Sequence, residues 1–419
     1  MKKRYIYQFL LVCISSCFLA CNGYLEEIPQ NKQKLTSTDD YEQLLNKAYL
    51  TEAVLPYIDL LTDDISYIVA DRDPRFGNVA DSYLGAYMWD NNIESTMPNG
   101  DEVFGKFYNS IYYTNVVIDE VDQAVGISSN KEETERIRGY LKGEAYALRA
   151  FRYLYLVNMY APPYDPATSS TTPGIPINLE TSADDKPYTR EMLDKVYEQI
   201  VDDLKKAIPL MEENYVNVKK NRFSPIAAKA LLARVYLYMQ EWDLAIEQAE
   251  DVIGSNSSLF DLRDEGENPI IYNENPLSYM SEDNVPGIGY LSEKNTNVLF
   301  VNGINELYMI LGGNTAQSVF YPSEDLYRAY SAGDVRKYYF MRRNTRSRIR
   351  YLKNRYYRVV TINFVDQLSS EYGYTRVIRT EEMYLILDEA YAHKPNGIST
   401  AVGYLNTLRE MKFRVSDFE

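Results

Sequence analysis

Two short stretches of the 419-residue chain hold the side chains best suited to recognising a ligand: "DRDPRF" at 71–76 and "YMWDNN" at 87–92. Trp89 offers a flat aromatic face on which an apolar surface of a ligand can stack. Asn91, Asn92, Asp71 and Arg75 offer planar amide, carboxylate and guanidinium groups that bond hydroxyls. Asp71 and Arg75 flank Pro74 in one loop, and the two asparagines follow Trp89 in another. Tyr272, Tyr279, Tyr290 and Tyr321, from a later region rich in Asn, Gly, Pro and Ser, add rings that would extend a stacking surface. The plainer reading makes Trp89 a packing residue and the asparagine pair a turn.

Catalytic patterns are sparse by comparison. A glycosidase needs two carboxylates about 5–10 Å apart, but among 60 acidic residues pairs such as Asp63 and Asp64 or Asp71 and Asp73 carry no specificity. The single histidine, His393, precedes "KPNG" at an expected helix end, where a cation is favoured by the helix dipole. There is no Cys/His spacing for a metal, no Gly-rich phosphate loop and no G-x-S-x-G elbow. The reading is of a binding protein rather than an enzyme, with no cofactor and no metal.

All three cysteines, Cys13, Cys17 and Cys21, fall near the N-terminus. "MKKR" followed by the uncharged "YIYQFLLVCISSCFLA" has the layout of a secretory signal peptide, residues 1–20. Its 16-residue apolar run is shorter than the roughly 20 residues a spanning helix needs. A disulfide framework would distribute cysteines through the folded part, so the thiol serves the N-terminus itself. Ala20 before Cys21 resembles the cleavage site of bacterial lipoproteins, which makes Cys21 the acylated residue. "ISSC" makes Cys17 the alternative, and an ordinary secreted protein is the plainer reading.

The formal charge of −16 repels phosphate backbones, so nucleic acid is not an expected partner. Tyrosine is the compositional outlier, with 40 residues against 14 Phe and 2 Trp. Its apolar ring and polar tip suit half-wet clefts as well as helix interfaces.

Helices must position these groups. Ser37 reads as the cap of "TDDYEQLLNKAYLTEA", whose early aspartates complement the helix start. Helices are expected at about 101–126, 131–160 and 190–213. In the second, Leu141, Ala145, Leu148, Phe151, Tyr155 and Met159 form one apolar face, while Gly143, Ala147 and Ala150 admit a neighbour closely. In "SPIAAKALLARVYLYMQEWDLAIEQAEDVI", Ser224 caps and Pro225 takes the first helical position. Leu232, Ala233, Tyr236 and Ala245 agree with a tetratricopeptide helix pair, whereas Ala249 replaces a usual aromatic. A looser second pair lies at about 379–412. Between these, 255–335 reads as irregular, and Arg346, Arg348 and Arg350 alternate with other residues in a basic hairpin within 336–358.

Five stretches in this order resemble the SusD/RagB family of surface lipoproteins: Cys21 with "YLEEIP", "KGEAYALRAFRYLYLVNMYA", the Ser224 helix pair, "PSEDLYRAYSAGDVRKYYF" and "RTEEMYLILDEAY". The resemblance implies a mainly α fold, in which tetratricopeptide-like helix pairs form a scaffold for irregular loops and a few short β-strands. It implies one domain over 21–419, made of a helical part at about 21–254, a loop-rich and hairpin part at about 255–366, and the last helix pair. Where the family continues into an Arg/Glu-rich segment this chain stops at "RVSDFE", implying a fragment or a short member.

The resemblance further implies a cell-surface position in the outer membrane through acylated cysteine, and a SusC-like TonB-dependent transporter as partner. The implied ligand is an oligosaccharide or, in the RagB-like branch, a peptide. Trp89 and Asn92 match the Trp and Asn that sugar-binding relatives place in this region. A helical-repeat scaffold without a small ligand is the remaining class.

Overall fold

A computed structural model of the chain describes residues 35–50, 60–67, 84–92, 103–181, 187–259, 261, 296–304, 320–331, 333–334, 336, 341–342, 355–356 and 374–413. The first helix, α1 (Thr38–Tyr49), begins where its sequence dictates. Ser37 Oγ accepts the Asp40 N–H at 3.2 Å, and Asp40 Oδ2 accepts the N–H groups of Thr36 at 3.0 Å and Ser37 at 2.9 Å. This reciprocal cap satisfies donors that a helix start leaves open.

The Ser37 and Thr36 N–H groups also lower the Asp40 pKa from 3.8 to about 2. The stabilisation is therefore present above the ordinary carboxylate range and is lost as pH falls through about 2. Asp40→Asn is expected to show a smaller acid-induced loss of stability over that window, read from denaturation midpoints. An unchanged acid profile would remove Asp40 from this role.

Next come β1 (Ile65–Tyr67), a one-turn helix α2 (Leu84–Tyr87), and α3 (Val103–Glu120), which ends in a 3-10 turn at Val121–Gln123. The longest helix, α4 (Lys131–Tyr160), is capped by Asn130 and has the predicted bounds. Leu141, Ala145, Leu148 and Phe151 of its predicted face are buried, and Tyr155 and Met159 pack against the core from half-buried positions. Helix α5 (Leu193–Glu213) lies close against it at Gly143. A Cβ there would come within 2.8 Å of Met211, 2.9 Å of the Ala207 carbonyl and 3.0 Å of Leu210, so glycine sets the approach.

Helices α6 (Pro225–Tyr238) and α7 (Trp242–Ser255) form the predicted pair, with Ser224 capping and Pro225 at the first position. Leu232, Ala233, Tyr236 and Ala245 are buried, and so is Ala249. The last pair is α9 (Thr380–Ala392) and α10 (Ile398–Glu410), with the single-turn α8 (Glu324–Ala329) before it. The long helices stack in the order α1, α3, α4, α5, α6, α7, α9, α10, each on its neighbour. The fold is thus mainly α and built on helix pairs.

The stretch expected to be irregular, 255–335, departs from that expectation where it is described. It contains β2 (Val298–Ile304) and β3 (Phe320–Pro322). Val298, Leu299, Phe300 and Val301 are all buried, an apolar run that the surrounding Asn and Gly obscured. Strand β2 pairs antiparallel with β6 (Tyr374–Arg379), joining this region to the start of α9. Strand β3 pairs antiparallel with β1, Ser66 opposite Tyr321. In the basic segment, β4 (Met341–Arg342) pairs antiparallel with β5 (Arg355–Tyr356), as hairpin arms do. Arg346, Arg348 and Arg350 lie outside the described residues.

Candidate functional site

Trp89 owes its position to the way α2 ends. The Trp89 N–H donates to the Ala86 carbonyl at 3.0 Å and the Asp90 N–H to the Gly85 carbonyl at 2.9 Å. These two bonds make a Schellman turn, whose closing residue adopts a left-handed conformation and is usually glycine. Here that residue is Trp89, with φ of 54°. For an L-residue the left-handed region costs roughly 1–2 kcal/mol.

The side chain recovers only part of that cost by burial, because Trp89 is 62% exposed and its neighbour Met88 is 65% exposed. Gly85 and Ala86 are buried and Tyr87 packs against the core, so the turn is fixed from below while the indole faces water. An outward indole in a strained turn is poor for folding and good for a ligand platform.

Polar groups of the predicted kind adjoin it. Asp90, Asn91 and Asn92 are exposed, and Asp90 Oδ1 accepts the Asn92 N–H at 2.9 Å, which shapes the turn after Trp89. Asp71, Arg75, Tyr272, Tyr279 and Tyr290 lie outside the described residues. The β1–β3 pairing nevertheless brings the backbone of Tyr321, from the later region, beside the strand that precedes residues 71–76 in sequence. Asp63 and Asp64 are exposed in the turn before β1. His393 closes α9 with its ring stacked on Trp242, centroids 4.1 Å apart and planes 4° from parallel, a local packing role. Among the described residues no His, Cys, Asp or Glu cluster could hold a metal.

Buried charge that the sequence did not disclose lies at the end of α1. Arg152 is 2% exposed and donates to the Ala48 carbonyl at 3.0 Å, Ser110 Oγ at 3.1 Å and Asn302 Oδ1 at 3.2 Å. The carbonyl end of α1 provides negative partial charge at the point where the chain leaves toward β1. Burial pushes the Arg152 guanidinium down to about 10, so it remains charged at neutral pH. Beside it, Glu144 accepts from the Tyr49 hydroxyl at 2.8 Å and from Arg222 Nε at 2.8 Å. Burial pushes the Glu144 carboxyl up, against the pull of Arg222 and Tyr49.

A second buried pair joins α3, α4 and α5. Arg149 holds both oxygens of Asp203, at 2.8 and 2.7 Å, and reaches Asn115 Oδ1 at 2.9 Å. Asn115 in turn donates to the carbonyls of Asn178 and Glu180 in the loop after α4.

Residues 23–237, just over half of the chain, match the SusD-like family model described as starch-binding and associating with the outer membrane. The chain belongs to the SusD-like family. It is 24% identical over 338 residues to SusD-like protein P2 of Formosa agariphila, an alignment covering 75% of this chain. The chain spans 64% of that relative's length. Solved SusD-like structures share the fold. A SusD superfamily protein from Bacteroides thetaiotaomicron matches with a TM-score of 0.66 at 20% identity, over 91% of this chain and 82% of the other. A laminarin-binding SusD-like protein matches with a TM-score of 0.61 at 17% identity, over 91% and 86%.

Proposed function

We propose that this SusD-like protein captures oligosaccharides at the outer face of the outer membrane and passes them, chemically unchanged, to a SusC-like TonB-dependent transporter. The observation that carries the reading is Trp89, held outward in a left-handed turn with Asn91 and Asn92 behind it. A sugar ring stacks on the indole, and the amides bond its hydroxyls. Asp71, Arg75 and Tyr290 complete the proposed site from the neighbouring loops. Family membership and a laminarin-binding relative of the same fold support a glycan as the ligand. Incubating pure protein with neutral glycans tests this: retention without new reducing ends is expected, and retention of peptides alone would contradict it.

Anchoring follows the same reading. The signal occupies 1–20, acylated Cys21 holds the chain to lipid, and 21–419 forms one SusD-like unit. Among the described residues no helix is long and apolar enough to cross a membrane. Cys21→Ser is expected to move the protein from the membrane fraction to the soluble fraction, since one acyl-modified residue is the whole attachment. If Cys17→Ser releases the protein and Cys21→Ser does not, Cys17 is the acylated residue.

A further inference from the structure

We propose that the side of the helix array lined by α4, α6 and α9 carries a second, weaker glycan-binding surface, centred on Tyr238. Its role rests on the function proposed above. Besides packing on its neighbours in the stack, α6 touches both α4 and α9. The three therefore line one side of the array, and stacked helix pairs offer extended binding surfaces of this kind. Strand β2 occupies that side at the start of α6, where the Phe223 and Phe300 rings stack with centroids 4.1 Å apart. Tyr238 closes α6 at its other end and is 41% exposed.

Helical periodicity gathers polar tips around this ring. Arg234 stands one turn before Tyr238, and Glu382, Leu385 and Glu389 form one stripe of α9 at three- and four-residue steps. Arg234 Nη2 donates to Glu382 Oε2 at 2.6 Å, which ties the two helices and offsets the two charges. Leu385, between the two glutamates, is 49% exposed. Tyr155 of α4 is half-buried, and both its hydroxyl and that of Tyr238 feel the charges of Arg234 and Glu382. Neither hydroxyl has a hydrogen-bond partner among the described residues. Burial pushes both up, against the pull of Arg234, so each keeps its proton at neutral pH.

The row of tyrosines continues toward α5. The Tyr197 hydroxyl donates to Asn158 Oδ1 at 3.1 Å, and its ring centroid lies 4.8 Å from that of Tyr164. Asn158 is exposed, and its amide nitrogen has no partner among the described residues. Phenol hydroxyls and an amide give and accept hydrogen bonds as sugar hydroxyls do, and the open face of Tyr238 suits the apolar side of a sugar ring. With Arg234 already paired and Glu389 exposed beside it, an anion is disfavoured. One open ring and one leucine offer too little apolar area for a protein segment to dock. A neutral sugar is the ligand class that these groups fit.

The probe is a neutral oligosaccharide that the wild-type protein retains, chosen from a panel that includes laminarin fragments. Saturation-transfer NMR, which registers weak contacts, is run on Trp89→Gly, where the first site has lost its ring. Transfer to the sugar is expected to persist, and to fall about fivefold when Tyr238→Ala is added. Tyr238→Phe, which keeps the ring and the packing, is expected to give a smaller fall. Absence of transfer in Trp89→Gly, or transfer unchanged by Tyr238→Ala, would overturn this second surface and leave the proposed function standing. If the wild type retains no neutral glycan, both fall. A second readout needs no substitution. In the wild-type protein the sugar is expected to slow nitration of Tyr238 by tetranitromethane about threefold at two-thirds occupancy, read by mass spectrometry. An unchanged nitration rate, or protection by tri-lysine and none by the sugar, would also overturn it.

Discussion

Arg149→Met is expected to lower folding stability by about 3–5 kcal/mol, the cost of leaving one member of a buried ion pair without the other. The Asp203 side chain is fully buried and the Arg149 side chain 6% exposed, so water cannot replace the lost guanidinium. Gln199 Nε2, which donates to Asp203 Oδ1 at 2.9 Å, would be left to hold the carboxylate. Asn115 would lose its contact as well, loosening the loop after α4. Arg149→Met with Asp203→Leu is expected to recover much of the loss, because a buried pair replaced by apolar residues of similar volume often costs little. Denaturant titrations of the wild type, both single variants and the double variant read this directly. If the double variant is as unstable as the sum of the singles, the two residues are not acting as a pair.

Trp89→Ala is expected to weaken glycan binding by about 1–3 kcal/mol, roughly 5- to 150-fold, the scale of a lost stacking platform. Its stability is expected to hold, since the indole is mostly in water. The left-handed backbone makes a sharper test. Trp89→Gly removes the same ring and places the residue best suited to φ of 54°, so it is expected to unfold at the same or a higher temperature while binding as poorly as Trp89→Ala. A fall in the melting temperature of both variants would make Trp89 a packing residue.

Local signals were legible in advance and distant ones were not. Ser37 and Ser224 cap their helices because a short polar side chain bonds the first free N–H groups, which needs only neighbours in sequence. Gly143 and its small neighbours announced a close helix contact for the same reason. Strand β2 was hidden because its partner β6 lies some seventy positions away, and "NGI" within it reads as a turn. Glu144, Arg149 and Arg152 occupy a helix face that charge alone assigns to solvent; only the fold shows that Arg222, Asp203 and the end of α1 meet them there. The Trp89 side chain could be nominated as a candidate from its chemistry alone. Its left-handed turn could not, because no glycine marks the place.

In the proposed function the protein binds a neutral glycan at the Trp89 surface and leaves it chemically unchanged. Isothermal titration of pure protein with neutral oligosaccharides, laminarin fragments among them, followed by chromatography of the recovered sugar, tests it most directly. The expected result is a dissociation constant of roughly micromolar to millimolar, little change with salt because stacking and hydroxyl bonds are not screened as ion pairs are, loss of binding in Trp89→Gly, and sugar recovered intact. Shortened products from the wild-type protein, or binding that survives Trp89→Gly unchanged, would contradict it.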